Sequence, residues 1–220
     1  YISLETAPDH FIMLKLNKLE KQSVRPAAEV YDVCVQLCSV AVQFEDAWER
    51  KDIEFDADLE DAAYTQADPG LLELVWTNLL SNAVKFTPQG GSITLRQTRA
   101  NGKIYVSVTD TGCGIPESDL PHIFERFYKV DKSHSEGGTG LGLSIAQFIM
   151  EKLGETISVE SEVGKGTCFT LTLQRYVRNA IALGPAGEKH TRYGDDDEKD
   201  EYVPNDADIQ DDDDVVDAHY

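Results

Sequence analysis

The sequence predicts an α/β fold: a two-layer α/β sandwich with a mixed, mostly antiparallel sheet and helices on one face. Three observations lead there. Apolar residues recur at spacings of three and four in segments 32–48, 69–86 and 141–153, which is helical periodicity. Between these stand short stretches that alternate apolar and polar residues. The order is helix, strand, strand, helix, two strands, glycine-rich loops, helix, two strands, so most strands are joined as neighbouring hairpins rather than through helices.

Each element has a local cause. Asp32 is placed to cap a helix in which Cys34, Leu37, Val40, Ala41, Phe44 and Trp48 form the apolar stripe. Ile53, Phe55 and Ala57 alternate with Glu54, Asp56 and Asp58, the pattern of a half-buried strand, and 64–67 suggests another. Asp68-Pro69 starts the next helix, with Asp as cap and Pro where its missing N–H is not needed. Leu72, Val75 and Leu79 carry it to Phe86, and Thr87-Pro88-Gln89-Gly90-Gly91 ends it. Strands 92–99 and 103–110 flank Asn101-Gly102, a strong hairpin signal. A short helical piece is expected near His122–Phe127, and the last helix stops at Gly154. Strands 156–160 and 167–173 turn through Gly164-Lys165-Gly166.

The ends differ from this middle. Phe11, Leu14, Leu16 and Leu19 give residues 9–22 an amphipathic helical pattern that breaks before Pro26. From Gly184 the apolar periodicity stops; this stretch holds 14 acidic and 3 basic residues, more than half of the net charge of -20. Its composition predicts disorder. Asp206, Asp208 and Asp217 loosely follow calcium-loop spacing, but Asp211 stands where that loop needs glycine. No stretch approaches the roughly 20 apolar residues of a membrane-spanning helix. Tyr1 at the start, with Glu5 and Asp9 where a signal peptide would be basic, reads as part of a longer chain. No Lys/Arg face suited to nucleic acid appears. Four cysteines lie at Cys34, Cys38, Cys113 and Cys168 without disulfide-scaffold or CxxC spacing, and Cys34 and Cys38 are expected to be two small buried thiols on one helix face.

Three stretches carry chemistry. Asn78, Asn82 and Lys85 leave the second long helix on one face. An amide pair can complete the shell of Mg²⁺, and an ammonium can hold phosphate; a polar solvated face has the same composition. Asp110 ends a strand and enters Thr111-Gly112-Cys113-Gly114-Ile115-Pro116, where two glycines allow close approach of a ligand. Its carboxylate could accept from an exocyclic amine such as that of adenine, although an ordinary turn reads alike. Gly137-Gly138-Thr139-Gly140-Leu141-Gly142-Leu143-Ser144 runs into a helix, so that backbone N–H groups and the helix end form an anion site, with a purely structural turn as the alternative.

Taken together, Asn78 to Phe86, Asp110 to Pro116, Phe124-Glu125-Arg126-Phe127-Tyr128, Gly138 to Ser144 and Gly164 to Thr167 resemble the catalytic and ATP-binding domain of sensor histidine kinases. That domain belongs to the superfamily that also holds gyrase and heat-shock ATPases. The resemblance covers about residues 50–175. It implies ATP and Mg²⁺ as cofactors, with Asp110 taking the adenine amine, Gly112, Gly114 and Ile115 walling its pocket, and Thr167 adding a base contact. It implies Asn82 as Mg²⁺ ligand supported by Asn78, Lys85 on phosphate, and Phe86 near the base where the family often has Tyr. Phe124 and Phe127 resemble the box beneath the ATP lid, with Arg126 and Lys129 as phosphate contacts. Val130 to Gly138 resemble the lid, and Gly138, Thr139, Gly140, Leu141, Gly142 and Leu143 the loop over the phosphates.

The resemblance also implies a domain plan. Residues 1–28 would end a dimerisation and phosphotransfer hairpin, 29–178 would form the catalytic domain, and 179–220 the acidic tail. The complete protein would be a membrane-anchored homodimer whose cytoplasmic portion includes this chain and whose partner is a response regulator. Superfamily hydrolases place Glu at the position of Asn78, and an amide cannot act as a general base, which favours transfer over hydrolysis. None of His10, His122, His134, His190 and His219 stands in the family's phosphoacceptor signature, so the accepting histidine is expected on a hairpin helix outside this sequence. A nucleotide-binding module without transfer, or an ATPase, are the alternatives.

Overall fold

A computed structural model describes residues 27–130 and 139–177. The remaining positions lie outside the described residues, and with them most of the expected hairpin end, lid and tail, Gly137 and Gly138, and His10, His134, His190 and His219.

Strand β1 (Glu29–Asp32) leads directly into helix α1 (Val33–Val42). Asp32 does the capping: its Oδ1 accepts from the Cys34 N–H at 2.9 Å and from the Ala63 N–H at 3.0 Å. The expected single helix through Trp48 is broken at Gln43–Phe44, and a second short helix, α2 (Glu45–Arg50), follows. That break lets Trp48 stack on Phe55, with ring centroids 4.2 Å apart. Cys34 is buried, but Cys38 is exposed, which corrects the expectation of two buried thiols. The stripe runs through Val33, Leu37, Val40 and Ala41, and Cys38 falls beside it.

Strands β2 (Glu54–Asp58) and β3 (Tyr64–Ala67) belong to different sheets. β1 pairs antiparallel with β3, a pairing the sequence reading missed because β1 is a short strand with no buried residue. The main sheet has the order β2-β4-β5-β7-β6, with β4 (Ser92–Ala100), β5 (Lys103–Asp110), β6 (Thr156–Glu162) and β7 (Gly166–Gln174). β2 runs parallel to β4 and the other pairs are antiparallel. Asn101 and Gly102 turn the central hairpin with φ of 52° and 71°, as a tight turn between twisted strands requires.

Helix α3 (Pro69–Phe86) packs on this sheet through Leu72, Val75, Trp76, Leu79, Leu80 and Ala83. Its start is capped by Asp68, whose Oδ1 accepts from Leu71 N–H at 3.1 Å. Its end is held by an ammonium: Lys51 Nζ donates to the carbonyls of Val84 (2.7 Å), Lys85 (3.0 Å) and Thr87 (2.7 Å). A cation there meets both the orphan carbonyls and the negative end of the helix dipole. Helix α4 (Gly142–Leu153) adds Ile145, Ala146, Ile149 and Met150 to the same core and ends at Gly154, whose φ is 74°. The two-layer sandwich with a mixed, mostly antiparallel sheet is the observed architecture. The short helix expected near His122–Phe127 is instead a run of turns.

Because one Asp32 oxygen satisfies two backbone donors, Asp32→Ala is expected to lower the unfolding free energy by about 1–3 kcal/mol. Asp32→Asn, which keeps an acceptor, should lose less. Equilibrium urea denaturation of both variants checks this, and equal losses would contradict the capping role.

Candidate active site

The sheet ends in a cluster of close backbone contacts around Asp110. This residue closes β5, the middle strand of five, and is 7% exposed. Its Oδ1 accepts from the Gly112 N–H at 2.8 Å. Burial pushes the carboxyl above the ordinary aspartate range, while the backbone N–H groups of Gly112 and Thr167 pull it back down. A Cβ on Gly166, whose φ is 118°, would lie 1.8 Å from the Asp110 carbonyl oxygen. Only glycine allows β7 to start there.

The loop after Asp110 is fixed to the β6–β7 hairpin. Gly164 N–H donates to the Cys113 carbonyl at 2.8 Å, and Ile115 N–H to Ser161 Oγ at 2.8 Å. A Cβ on Gly114 would lie 2.1 Å from the Glu162 carbonyl oxygen. Thr167 stands opposite Asp110 in the ladder and is also 7% exposed. Asp110, Gly112, Ile115 and Thr167 therefore form one wall, with Phe86 nearby through the backbone: a Cβ on Gly112 would meet the Phe86 carbonyl oxygen at 2.7 Å. The Phe86 ring is half exposed, and Lys85 Nζ lies 5.1 Å from its centroid.

A second group lies along α3 and the start of α4. Asn78 and Asn82 are half-buried on α3. Asn78 Nδ2 donates to the Leu74 carbonyl at 2.8 Å, which fixes the amide, and its Oδ1 would lie 2.7 Å from a Cβ on Gly142. Gly142 thus lets the start of α4 come against Asn78. Leu141, at the N-cap, contributes no side-chain bond to the first turn, and the start of a helix is a place where an anion can be received. Its own side chain is 6% exposed and packs in the core, and Leu143 is half-buried against that core. Thr139 is exposed and Gly140 partly covered.

Lys85 feels Lys129. Partial burial, and then the charge of Lys129, lower the Lys85 ammonium below the usual lysine range. Two cations gathered on one side of α3 suit a polyanion. Arg126 and Phe127 are exposed in the turns that precede Lys129. Phe127 has φ of 67°, uncommon for an aromatic residue, and its N–H donates to the Gly140 carbonyl at 2.9 Å. This bond ties the end of the turns to the glycine loop, while Phe124 packs edge-on against Phe169 at 6.4 Å. Sequence reading missed Ser161 and Lys51, which carry no motif. Their only signal is position: one opposite Thr167, the other before an edge strand.

The fold and these two groups define a nucleotide-binding α/β sandwich, with a buried carboxylate at the end of the central strand and amides, cations and a helix start along α3 and α4. Comparison with known proteins agrees. Residues 67–177 match the model of the histidine kinase-, DNA gyrase B-, and HSP90-like ATPase family. The sensor histidine kinase WalK of Bacillus subtilis is 34% identical over 166 residues, 73% of this chain and 27% of WalK. The adaptive-response sensory kinase SasA of Synechococcus elongatus is 35% identical over 159 residues, 71% of this chain and 41% of SasA. The chain thus spans less than half the length of these relatives. Among solved structures, the mycobacterial sensor histidine kinase MprB is 27% identical, with a TM-score of 0.60 over 67% of this chain and 98% of that one. Full-length ShkA in complex with AMPPNP is 27% identical, with a TM-score of 0.66 over 77% of this chain and 36% of that one.

The chain belongs to the histidine kinase-, DNA gyrase B- and HSP90-like ATPase family, as an ATP-binding catalytic domain of the sensor histidine kinase type.

Asp110 gives a test with a worked sign. A carboxyl whose folded pKa is raised costs stability above that pKa, and the cost disappears as pH falls through it. Asp110→Asn is therefore expected to keep or raise the melting temperature at neutral pH, with the difference from the parent shrinking in acid. ATP affinity should fall by about tenfold or more in the same variant. Calorimetric melting and ATP titration across pH check both halves; a less stable variant that binds ATP normally would contradict the assignment.

Proposed function

We propose that this domain positions the γ-phosphoryl group of ATP for transfer to a histidine on the dimerisation hairpin of the same protein. Asn78 carries the reading. A hydrolase needs a base to activate water, and an amide has no useful pKa. The Asn78 amide is in addition held by the Leu74 carbonyl at 2.8 Å, as suits a group that orients rather than moves a proton.

The residues present fit Mg²⁺. Asn78 and Asn82 offer hard amide oxygens one helical turn apart, and Mg²⁺ usually takes one or two protein ligands with water and substrate phosphates as the rest. Among the described residues no group of three or more His, Cys, Asp or Glu could hold a metal instead. Asn82, with Asn78, would hold the ion, which when bound neutralises phosphate charge. Asp110 and Thr167 would orient the base, with Gly112, Gly114, Ile115 and Phe86 enclosing it. Lys85, Lys129 and Arg126 would gather the phosphates, and the backbone from Gly138 to Leu143 would close over them. Catalysis of this kind is positioning and charge stabilisation, with the nucleophile supplied from outside.

For the complete protein this reading entails a homodimer, anchored in the membrane with this domain on the cytoplasmic side. It would pass its phosphoryl group to an aspartate of a response regulator. Residues 1–28 would end the hairpin, 29–178 would be the catalytic domain and 179–220 an acidic tail. Nucleic acid has no place in it.

The chain mixed with a separate histidine-bearing hairpin, γ-labelled ATP and Mg²⁺ is expected to give acid-labile label on the hairpin. Asn82→Ala should lower the transfer rate by about 10²-fold or more, and chelation of Mg²⁺ should abolish transfer. ATP binding with no label on the hairpin would favour a binding module, and steady release of inorganic phosphate by the chain alone would favour an ATPase.

A further inference from the structure

Asp110, Thr167 and Ser161 stand directly opposite one another across β5, β7 and β6. Facing residues of neighbouring strands share a sheet face, and here it is the face that sends Val108 and Phe169 into the core. Ser161 has three hydrogen-bond partners. Its Oγ accepts from the Ile115 N–H at 2.8 Å, donates to the Gly166 carbonyl at 2.9 Å, and lies 2.9 Å from Thr167 Oγ1.

A serine hydroxyl has one proton and two lone pairs. The Gly166 carbonyl can only accept, so it takes the proton. The Ile115 N–H can only donate, so it fills one lone pair. In the third contact Thr167 must then be the donor. Its hydroxyl proton is committed to Ser161, and what Thr167 can show a ligand is an acceptor. Beside it the ionised Asp110 carboxylate also has acceptors only.

We propose that Ser161 is a positioning residue that sets the base specificity of the nucleotide site. By holding the proton of Thr167, it makes the Asp110–Thr167 wall accept hydrogen bonds only, so the pocket selects a purine with a 6-amino group over one with a 6-oxo group. This rests on the reading of Asp110 and Thr167 as base contacts. An amino group meets lone pairs there. A 6-oxo oxygen meets lone pairs with lone pairs, the kind of mismatch that discriminates strongly between otherwise similar ligands.

Binding of ATP and of inosine triphosphate to the full chain, above the titration of Asp110, tests this, because the two ligands share ribose and phosphates and differ only in the base. The parent should prefer ATP. In Ser161→Ala the Thr167 hydroxyl is free to turn and donate to a 6-oxo group. ATP affinity should change little, while the ratio of inosine triphosphate Kd to ATP Kd falls by about tenfold. Ser161→Thr, which keeps the hydroxyl, should restore the parental ratio.

A folded Ser161→Ala protein with the parental ratio overturns the proposal. If that variant loses its cooperative melting transition, Thr167→Val replaces it. Removing the facing acceptor should also lower the ratio, and an unchanged ratio overturns the proposal. Asp110→Asn separates the two levels. If it binds ATP as the parent does, the base-contact reading itself fails and the role of Ser161 falls with it; if ATP binding drops, the Ser161 ratio alone decides.

Discussion

A carboxylate kept away from water at the end of the central strand is the constraint around which this domain is arranged. Burial of Asp110 raises its carboxyl and so works against folding at neutral pH. The structure offsets that with backbone donors rather than with a counter-charge: the N–H groups of Gly112 and Thr167 both act on it. Bringing those donors within reach needs two tight backbone passages, at Gly112 and at Gly166, where a Cβ would strike Asp110 Oδ1 at 2.6 Å and its carbonyl oxygen at 1.8 Å. The glycines of the two motifs thus serve one buried residue. A cation in their place would have carried its own desolvation cost and taken up acceptors that the proposed ligand needs.

The same division between fold and site runs along α3. Its buried residues come in pairs, Leu71 and Leu72, Val75 and Trp76, Leu79 and Leu80, Ala83 and Val84, so one wide face is given to the core. Asn78, Asn82 and Lys85 flank that face and inherit its rigidity. The helix is fixed at both ends as well, by the Asp68 carboxylate and by the three carbonyl bonds of Lys51. Polar groups on a helix so held lose little further freedom on meeting a ligand, which is the physical content of preorganisation. The β2 edge is managed differently: Glu54, Asp56 and Asp58 are exposed along it, and charge on an open strand discourages pairing with another chain.

What could be read in the sequence follows from how local each signal is. Helix α3, its Asp68-Pro69 start and the Asn101-Gly102 hairpin depend on neighbours a few residues away, and they lie where the pattern puts them. The break between α1 and α2 depends on Phe55 reaching Trp48 from another element, so an unbroken apolar stripe gave no hint of it. Pairing of β1 with β3 joins residues more than thirty positions apart, in strands too short and exposed to alternate clearly. Cys38 shows the limit of a spacing argument: four residues from a buried thiol on one helix, it still falls off the apolar stripe. The motifs around Asn78, Asp110 and Gly140 announced a nucleotide site. The hydrogen-bond direction at Thr167 could not be announced, because it is decided by Ser161, Ile115 and Gly166 from three separate segments.

Net charge misleads in the same way. A chain of -20 is a poor host for a nucleotide triphosphate if charge is averaged over the molecule. Yet the charged neighbour that shifts Lys85 is Lys129, another cation, although acidic residues outnumber basic ones two to one in the sequence. At about 0.1 M salt, exposed charges beyond roughly 10 Å are largely screened, so one lysine close by counts for more than a net charge averaged over the chain. On the proposed reading, Lys85, Lys129 and the start of α4 would be the groups a phosphate meets first. If Lys85 and Lys129 meet phosphate as proposed, scale decides what they suit: a positive patch a few residues wide fits a triphosphate, whereas a long polyanion would have to spread over a chain of net charge -20.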